Sequence, residues 1–447
     1  MLLAAADVAP RSQMGLSLGW HIVLACLGVG LPALVLFAEW RGLRTGDPVY
    51  RLLARRWARA LGVLFAVGAV SGTILSFEMG VLWSGLMQRY GSVIGLPFTI
   101  EGFAFFIEAI FLGIYLYGWD RLAPRVHLLS GVPILVAGVL SAFFVVTANA
   151  WMNSPQGFVL RHGKVLSTDP WRAIFNKATW PETTHMILSA FMVTGFLVAS
   201  VYGVAMLRGR EDDYHRRGLR IALALGAICA PLQVVVGDWA ARYVAADQPA
   251  KLAAMEGLYD SGTHQPLAIG GVYIGHHLVG ALHVPDGLSL LLRLKPDGYV
   301  QGLSAVPAND RPPVAIVHFS FDTMVGIGFG LLALAAWFGW AHWRHGDLPR
   351  TRWFLRAVAI SGAAATVAME AGWMVTEVGR QPWVVWHLLR TSTAVNPAQH
   401  LSDGLPVLVV VYVLLTILLI AVLRRMTRST PVPAAPQEAD ADEYAVV

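Results

Sequence analysis

Nine apolar segments in this 447-residue chain are each long enough to cross a lipid bilayer. A helix needs about 20 residues to span ~30 Å of hydrocarbon, and each segment reaches that length. The segments cover approximately residues 15–38, 57–79, 97–118, 130–150, 184–206, 219–238, 314–340, 355–377 and 403–423. Because 56% of the residues are hydrophobic and only 14% are charged, a soluble fold of this size is excluded. The sequence therefore predicts an all-α, polytopic membrane protein with about nine transmembrane helices.

Arginines lie in alternate connections between these segments. Clusters follow the first, third, fifth, seventh and ninth spans: Arg41, Arg44, Arg51, Arg55 and Arg56; Arg121 and Arg125; Arg208, Arg210, Arg216 and Arg217; Arg344, Arg350 and Arg352; Arg424, Arg425 and Arg428. Because cytoplasmic loops are enriched in Lys and Arg, this pattern predicts that the N-terminus lies outside and the C-terminus is cytoplasmic. The net charge of +5 is then a topology signal, and no nucleic-acid partner is expected.

The spans divide the chain into four regions. Residues 1–238 hold the first six spans, and residues 314–428 hold the last three. Residues 239–313, rich in Gly, Pro and His, predict a long extracytoplasmic loop, and loops of that length are usually functional or disordered. Residues 429–447 predict a disordered cytoplasmic tail. Cys26 and Cys229 lie inside apolar runs, so they offer neither a disulfide framework nor a paired-cysteine metal site.

Polar and ionisable residues collect at the outer ends of seven spans. The richest stretch is MEAGWMVTEVGRQPW, which carries Glu370, Glu377 and Arg380. The other spans contribute His21, Glu78, Glu101, Asn149, His185 and Asp238 at the same level. A charge at the bilayer centre costs about 2.5–3.5 kcal/mol on insertion scales, so such residues are rare unless they face partners inside the protein. An interfacial belt with solvated charges is the alternative at any one end, but seven ends together predict a buried polar centre.

Residue chemistry in this layer suits haem and proton transfer. Alone, His185 would usually cap or flank a helix, and Met324 would be ordinary packing. Together, His and Met are side chains that ligate low-spin haem iron, whereas a single His or carboxylate leaves an iron position open. Glu101 and Glu108 are seven residues apart, so Glu108 lies ~10 Å deeper on the same helix face. The pair predicts an inward proton path, unless each carboxylate pairs with an arginine of a neighbouring helix or subunit.

Six stretches carry a resemblance to a known family. They are GWHI around His21, EGFAFFIE from Glu101, GWDR from Gly118, NAWMNSP from Asn149, KLAAME from Lys251 and EAGWMVTEVGRQPW from Glu370. Over almost its whole length the chain resembles subunit I of the cytochrome bd-type quinol oxidases. The resemblance implies a nine-helix subunit of the bacterial cytoplasmic (inner) membrane that oxidises quinol at the outer face and reduces oxygen to water through three haems. It also implies a second membrane subunit, subunit II, often with a small accessory one.

The resemblance further implies which residues hold the haems. His185 and Met324 would be the axial pair of a low-spin haem b. His21 and Glu377 would be axial ligands of two high-spin haems, expected to be of b and d type, with Glu101 close to them. The haem propionates or the haem pair would be stabilised by Trp373 and Arg380, because guanidinium groups bind carboxylates in a bidentate manner.

The family also gives the long loop a role in quinol binding. Lys251 and Glu256 match its quinol-linked lysine and glutamate, and one can bind a quinol oxygen while the other accepts a proton. Without the family they would be an ordinary solvated charge pair. Protons for water would enter from the cytoplasm through Glu108 and Glu101, with Ser141 nearby, so turnover would charge the membrane without a pump. The expected catalytic residues are Glu101, Glu108, Glu377 and Arg380.

Three features depart from the family pattern. Only 67 residues separate Glu256 from Met324, so the loop resembles the short-loop, cyanide-insensitive branch. Asp322 stands where many members have an arginine, and an unpaired carboxylate there would lower the potential of the low-spin haem. The spacing of Glu101 and Glu108 is seven, where eight is usual in the family, and Ala109 stands where a serine often follows.

Two other classes of function are consistent with parts of the sequence. A proton-coupled transporter could use the same carboxylates as an ion relay, but no inverted repeat with broken helices is visible. A non-catalytic b-type cytochrome would relay electrons between haems in both leaflets, whereas here the ligating residues cluster on one side.

Overall fold

Nine membrane-length helices dominate the computed structural model, which describes residues 8–349, 351–398 and 401–428. They are α1 (Val8–Thr45), α2 (Pro48–Leu82), α3 (Ser84–Gly118), α4 (Pro124–Asn153), α6 (Thr179–Leu207), α7 (Asp213–Asp247), α10 (Val314–His345), α11 (Arg352–Val378) and α13 (Gly404–Arg428). Within the described ranges this confirms the all-helical, nine-span prediction. The predicted tail, residues 429–447, lies outside the described residues.

Short elements lie between the long helices. They are β1 (Phe158–Arg161), β2 (Lys164–Thr168), α5 (Pro170–Ile174), α8 (Pro249–Met255), β3 (Leu267–Ile269), β4 (Val272–Ile274), β5 (His277–Val279), β6 (Leu282–Val284), α9 (Gly287–Arg293), β7 (Trp383–Val385), β8 (Leu389–Arg390) and α12 (Thr391–Ala394). The strands form two-stranded antiparallel pairs, β1 with β2, β3 with β6, β4 with β5 and β7 with β8. All of them lie at the same end of the bundle, which we call the polar end.

The long helices extend beyond the predicted apolar segments because polar caps and prolines set their ends. Asp47 accepts a hydrogen bond from the Val49 amide, and Pro48 occupies the first turn of α2, where its missing N–H costs nothing. Asp212 caps α7 in the same way. Helix α7 continues to Asp247, beyond the apolar run that ends at residue 238. The first residues of the predicted long loop are therefore helical.

Helix α6 lies at the centre of the bundle and packs against α1, α4, α7 and α11. It approaches α7 closely, because a Cβ on Gly195 would lie only 2.8 Å from Gly226 Cα. Small residues at such crossings let membrane helices gain van der Waals contact along their backbones. By contrast, α13 lies at the periphery, packed on α1 and α2, with most of its apolar side chains exposed. The opposite end of the bundle, where α1 ends at Thr45 and α3 at Gly118, carries the arginine clusters, and we call it the basic end.

Candidate functional site

A network of buried hydrogen bonds at the polar end is centred on Asn153, the last residue of α4. Its Oδ1 accepts from Lys251 Nζ at 2.9 Å and from Arg380 Nη1 at 3.2 Å. Its Nδ2 donates to Asn149 Oδ1 at 3.0 Å and to Glu182 Oε1 at 2.8 Å. Only 1% of Asn153 is exposed, so these partners replace water completely.

Glu377 and Arg380 form the second part of this network. Arg380 Nη2 donates to Glu377 Oε2 at 2.7 Å, and Asn149 Nδ2 donates to Glu377 Oε1. Arg380 is 1% exposed, which is tolerable for a guanidinium only because it has charged and polar partners. The structure therefore brings together two residues that the sequence placed at this level, Asn149 on α4 and Glu377 on α11.

Lys251 belongs to the same network, although the sequence places it in the long loop. Helix α8 lies over the ends of the membrane helices, and Lys251 is 3% exposed, with its Cγ 2.9 Å from the position of a Cβ on Gly379. Burial lowers the pKa of the Lys251 ammonium group, and the charge of Arg380 lowers it further, whereas Glu182 and Glu377 oppose the shift. The solvated charge pair considered from the sequence is thus not what the structure contains.

Glu256 has a separate environment on the other side of α8. It is buried, and the charged group that acts on it is Asp322 of α10, whereas Lys251 bonds to Asn153. Burial raises the pKa of Glu256 to about 8, with the negative charge of Asp322 as the second cause. His318 Nδ1 lies 2.7 Å from the Met255 carbonyl oxygen, and His318 Nε2 lies 3.4 Å from Asp322 Oδ2. Asp322 therefore has the His318 imidazole as a neighbour.

Each of three predicted haem ligands faces a glycine on a neighbouring helix. A Cβ on Gly72 would lie 3.3 Å from His21 Cε1, and a Cβ on Gly237 would lie 3.5 Å from His185 Cε1. A Cβ on Gly372, next to Trp373, would lie 3.0 Å from Met324 Sδ. In each case glycine leaves open the space beside a side chain that can ligate iron.

The hydrogen bonds of the two histidines differ. His21 Nδ1 lies 2.7 Å from Ser71 Oγ, which orients the ring on α1 against α2. His185 Nε2 lies 3.1 Å from Gln233 Nε2, and the same amide group donates to the His185 carbonyl oxygen at 3.2 Å. His185 Nδ1 has no hydrogen-bond partner among the described residues.

Further carboxylates complete the layer on the α1 and α2 side. Glu78 is buried, and its Oε1 accepts from Ser17 Oγ at 2.8 Å. Glu370 Oε2 would lie 3.4 Å from a Cβ on Gly19, which places this carboxylate against α1. Asp238 does not join the layer, because it forms a half-exposed ion pair with Arg242 at 2.7 Å.

The predicted proton-path residues lie along the contact between α3 and α4. Ser141 Oγ donates to Glu101 Oε1 at 3.2 Å. Two turns further towards the basic end, Glu108 is 5% exposed and faces Gly138, where a Cβ would lie 3.5 Å from its Oε1. Neither glutamate has an arginine partner among the contacts of the described residues, so the paired-arginine alternative lacks support within this subunit.

Several members of the network have no signal in the sequence taken alone. Asn153 lies in the NAWMNSP stretch but, like Glu182, looks like an ordinary helix-end residue. Gln248, which donates to the Asn153 carbonyl oxygen at 2.8 Å, looks like a loop residue. Their position relative to Arg380 is what shows their importance. The one signal available from the sequence is that they lie near the outer ends of spans, a position they share with Asn149.

The fold and this site together define a class of protein: a multi-pass membrane protein with a buried layer of histidine, methionine, carboxylate and guanidinium groups at one end. A family model for cytochrome bd terminal oxidase subunit I matches residues 9–431. The chain belongs to that family, and the resemblance found in the sequence is confirmed. Its assignment to the short-loop branch stays a prediction.

Relatives of known name cover nearly the whole chain. A putative cytochrome bd menaquinol oxidase subunit I of Bacillus subtilis is 37% identical over 95% of this chain and 97% of its own length. A cytochrome bd ubiquinol oxidase subunit 1 of the same organism is 31% identical over 87% of this chain and 86% of its own. The solved bd oxidase of Geobacillus thermodenitrificans contains a chain that is 37% identical, with a TM-score of 0.90 over 95% of this chain and 99% of that one.

Family membership implies haem, and the residues at the polar end fit it. Five buried polar atoms at or beside the predicted ligands lack hydrogen-bond partners among the described residues: His185 Nδ1, Gln233 Oε1, Glu370 Oε1, Trp373 Nε1 and Arg380 Nε. Folded proteins pair nearly all of their buried polar groups, so these atoms leave hydrogen-bonding capacity that a bound haem could use. The glycines beside His21, His185 and Met324 are consistent with a flat macrocycle lying against these side chains.

Proposed function

We propose that this chain is the subunit of a respiratory quinol oxidase that oxidises quinol at the outer membrane face and passes the electrons to oxygen. The observation that carries the proposal is the buried connection from Lys251 through Asn153 to Arg380 and Glu377. It joins the loop where quinol would bind to a residue that would ligate haem. Neither a transporter nor a simple electron relay would require the side chain of an extramembrane lysine to be buried in this hydrogen-bonded cluster.

The haems would be held by residues from four helices. His185 of α6 and Met324 of α10 would bind the low-spin haem b, and His21 of α1 and Glu377 of α11 would each bind a high-spin haem. Bound haem iron supplies the single-electron transfers that link quinol oxidation to oxygen reduction. The remaining donors, Arg380 Nε and Trp373 Nε1, are buried and unpaired among the described residues, so they suit the negatively charged propionates.

Quinol would bind between Lys251 and Glu256 on the two sides of α8. Lys251 would hydrogen-bond a quinol oxygen while remaining attached to Asn153, which keeps its position fixed. Glu256 would accept a quinol proton, and its pKa of about 8 makes the carboxylate form a useful base near and above neutral pH. The rate of quinol oxidation should accordingly rise as pH increases towards 8.

Protons for water would reach the polar end from the cytoplasm. Glu108 and Glu101 lie on one face of α3, and Ser141 contacts Glu101 from α4. Glu108 would take up each proton and pass it to Glu101, with Ser141 holding the Glu101 carboxylate in place. Because quinol protons leave outside and these protons enter from inside, turnover would charge the membrane without a pump.

The subunit would work in the bacterial cytoplasmic membrane with the N-terminus outside. Family membership implies a complex with a second membrane subunit, and a small accessory subunit is a further expected partner. The apolar outer faces of the helices, such as the exposed side chains of α13, suit lipid or a membrane partner.

The proposal is tested with the purified two-subunit complex. We expect quinol-driven oxygen consumption, low-spin and high-spin haem bands in the reduced-minus-oxidised spectrum, and a change of the high-spin bands on addition of carbon monoxide. A preparation without haem bands would exclude the oxidase and the electron relay, so a proton-coupled transporter would be the remaining function. A purely low-spin signal that does not respond to carbon monoxide would exclude oxygen reduction at a high-spin haem, so a non-catalytic electron relay would be the remaining function.

A further inference from the structure

A second buried polar cluster lies at the basic end, and the reaction proposed above does not use it. It consists of Glu39 of α1, Tyr115 of α3 and His127 of α4, which are 4%, 1% and 2% exposed. The Tyr115 hydroxyl donates to Glu39 Oε2 at 2.5 Å, and His127 Nδ1 lies 2.6 Å from Glu39 Oε1. We call this group the basic-end triad.

The hydrogen bonds of the triad place a proton between Glu39 and His127. His127 Nε2 lies 2.9 Å from the Tyr115 carbonyl oxygen, which can only accept, so Nε2 carries a hydrogen. Nδ1 then either accepts a hydrogen bond from protonated Glu39 or, in an imidazolium ring, donates one to the carboxylate. In both forms a single proton lies between Glu39 and His127.

The triad is aligned with the proposed proton path. Tyr115, Glu108 and Glu101 follow one another at seven-residue intervals on α3, so successive groups lie ~10 Å apart on one face. Across the contact, α4 presents Gly131 to Tyr115 and Gly138 to Glu108. A Cβ on Gly131 would lie 2.9 Å from Tyr115 Cε2, and a Cβ on Gly138 would lie 3.5 Å from Glu108 Oε1. These glycines therefore let α4 lie close to the Tyr115 ring and the Glu108 carboxylate, and the nearest atom to a Cβ on Gly131 would be Leu36 Cδ2 at 2.5 Å.

The triad also lies close to the aqueous surface. His127 is one turn from the start of α4 at Pro124, and Tyr115 is one turn from the end of α3 at Gly118. The ring of Trp119 lies 4.2 Å from the His127 ring, and the Arg55 guanidinium lies over Trp119 at 5.1 Å. A single layer of side chains thus separates the triad from the basic surface.

We propose that the basic-end triad is the inlet of the proton route and supplies Glu108. This rests on the proposed function, since it adds the entrance to the same route. A proton from surface water enters the Glu39–His127 pair. Glu39 then transfers a proton to the Tyr115 oxygen while the Tyr115 hydroxyl releases its own towards Glu108 through water. Only O–H and N–H bonds break and form, and the next proton from the surface restores the pair.

The decisive variant is Glu39→Gln in the purified two-subunit complex. Glutamine keeps the volume, an acceptor for Tyr115 and a donor for His127 Nδ1, but it cannot hold the proton. Single-turnover proton uptake, followed with a pH-sensitive dye, and steady-state oxygen consumption should both fall at least ~10-fold. Haem bands and anaerobic reduction of the haems by quinol should remain unchanged. Glu39→Asp, which can still titrate, should take up protons faster than Glu39→Gln.

A matched control separates this role from a purely structural one. Tyr202 is also a buried tyrosine near the basic end, and its hydroxyl accepts from Trp57 Nε1 at 2.9 Å, but it lies on α6, away from the α3–α4 contact. Tyr202→Phe should take up protons at the native rate, whereas Tyr115→Phe should be slow.

The outcomes distinguish the inlet from the function on which it rests. Native proton uptake in Glu39→Gln together with slow uptake in Glu108→Gln would overturn the inlet and leave the proposed oxidase route intact. Native uptake in both variants would overturn the inlet and the Glu108 relay alike. If Glu39→Gln does not assemble, Tyr115→Phe decides the question, and native uptake in that variant would overturn the proposal.

Discussion

Asn153 accepts hydrogen bonds from Lys251 and Arg380 and donates hydrogen bonds to Asn149 and Glu182. A neutral amide can bind cations and hydrogen-bond acceptors at the same time, because its carbonyl oxygen accepts hydrogen bonds and its two N–H groups donate them. A carboxylate at this position would accept from both cations but would face Glu182 with a like charge. At the scale of single residues, therefore, the polar end depends on amides placed between charges.

Replacing this amide should destabilise the subunit. In Asn153→Ala the buried Lys251 ammonium and the Arg380 guanidinium each lose an acceptor, and a buried group without its partner costs roughly 1–3 kcal/mol. We expect a lower melting temperature in detergent and weaker retention of haem. The control is Asn309→Ala, at an exposed loop position, where the change in stability should stay within about 0.5 kcal/mol. An Asn153→Ala protein as stable as this control would contradict the role assigned to the network.

Glu256 should make the stability of the subunit depend on pH. Burial raises its pKa in the folded state to about 8, above the ordinary value of 4.5, so the folded protein retains a proton that the unfolded chain releases. The contribution of Glu256 to the free energy of unfolding should therefore fall as pH rises from about 4.5 to about 8. Melting temperatures measured across this range should decline less in Glu256→Gln than in the wild type.

The control for this titration is Asp260→Asn, at an exposed carboxylate four residues further along the same loop. It should leave the pH dependence of the melting temperature as it is in the wild type. Identical pH profiles for Glu256→Gln and the wild type would show that Glu256 is not protonated in the folded protein at neutral pH.

At the scale of helices, the crossing of α6 and α7 depends on paired glycines. Gly195 faces Gly226, and a Cβ on Gly195 would lie 2.8 Å from Gly226 Cα, where no rotamer change can relieve the clash. Gly195→Ala should force the helices apart and lower the free energy of unfolding by about 1–3 kcal/mol. Because His185 of α6 lies against Gly237 of α7, the same variant should disturb the environment of His185.

A glycine without near neighbours provides the comparison. A Cβ on Gly113 of α3 would meet no atom within 4 Å, so Gly113→Ala should be neutral or should stabilise the helix by about 0.5–1 kcal/mol. Unfolding in denaturing detergent, measured for both variants, checks the difference. Equal stabilities would mean that the close approach of α6 and α7 contributes little.

At the scale of the whole molecule, the sequence predicts the architecture well because membrane spans have a length that can be counted. Nine segments and their alternation were enough to place His21, Asn149, His185 and Glu377 at one end of the bundle. Helix periodicity likewise predicted that Glu101 and Glu108 share a face near Ser141. These inferences need only the geometry of single helices and the direction in which each one crosses.

The rest depends on how the chain folds back on itself, which no local pattern encodes. The sequence places Lys251 and Glu256 five residues apart on the long loop, but it does not show that their partners are Asn153 and Asp322 respectively. Asp238 was expected in the polar layer but pairs with Arg242, because α7 continues as a helix beyond the apolar run. The basic-end triad combines three helices and had no signal in any one of them.

The central claim is that His185 and Met324 hold a low-spin haem at the polar end, and a spectrum of His185→Ala tests it most directly. The matched control is His215→Ala, at a buried histidine of the basic end that is paired with Asp212. In reduced-minus-oxidised spectra of the purified complexes, we expect His185→Ala to lose the low-spin bands while it retains the high-spin bands and their response to carbon monoxide. We expect His215→Ala to retain all bands. Unchanged low-spin bands in His185→Ala would contradict the account.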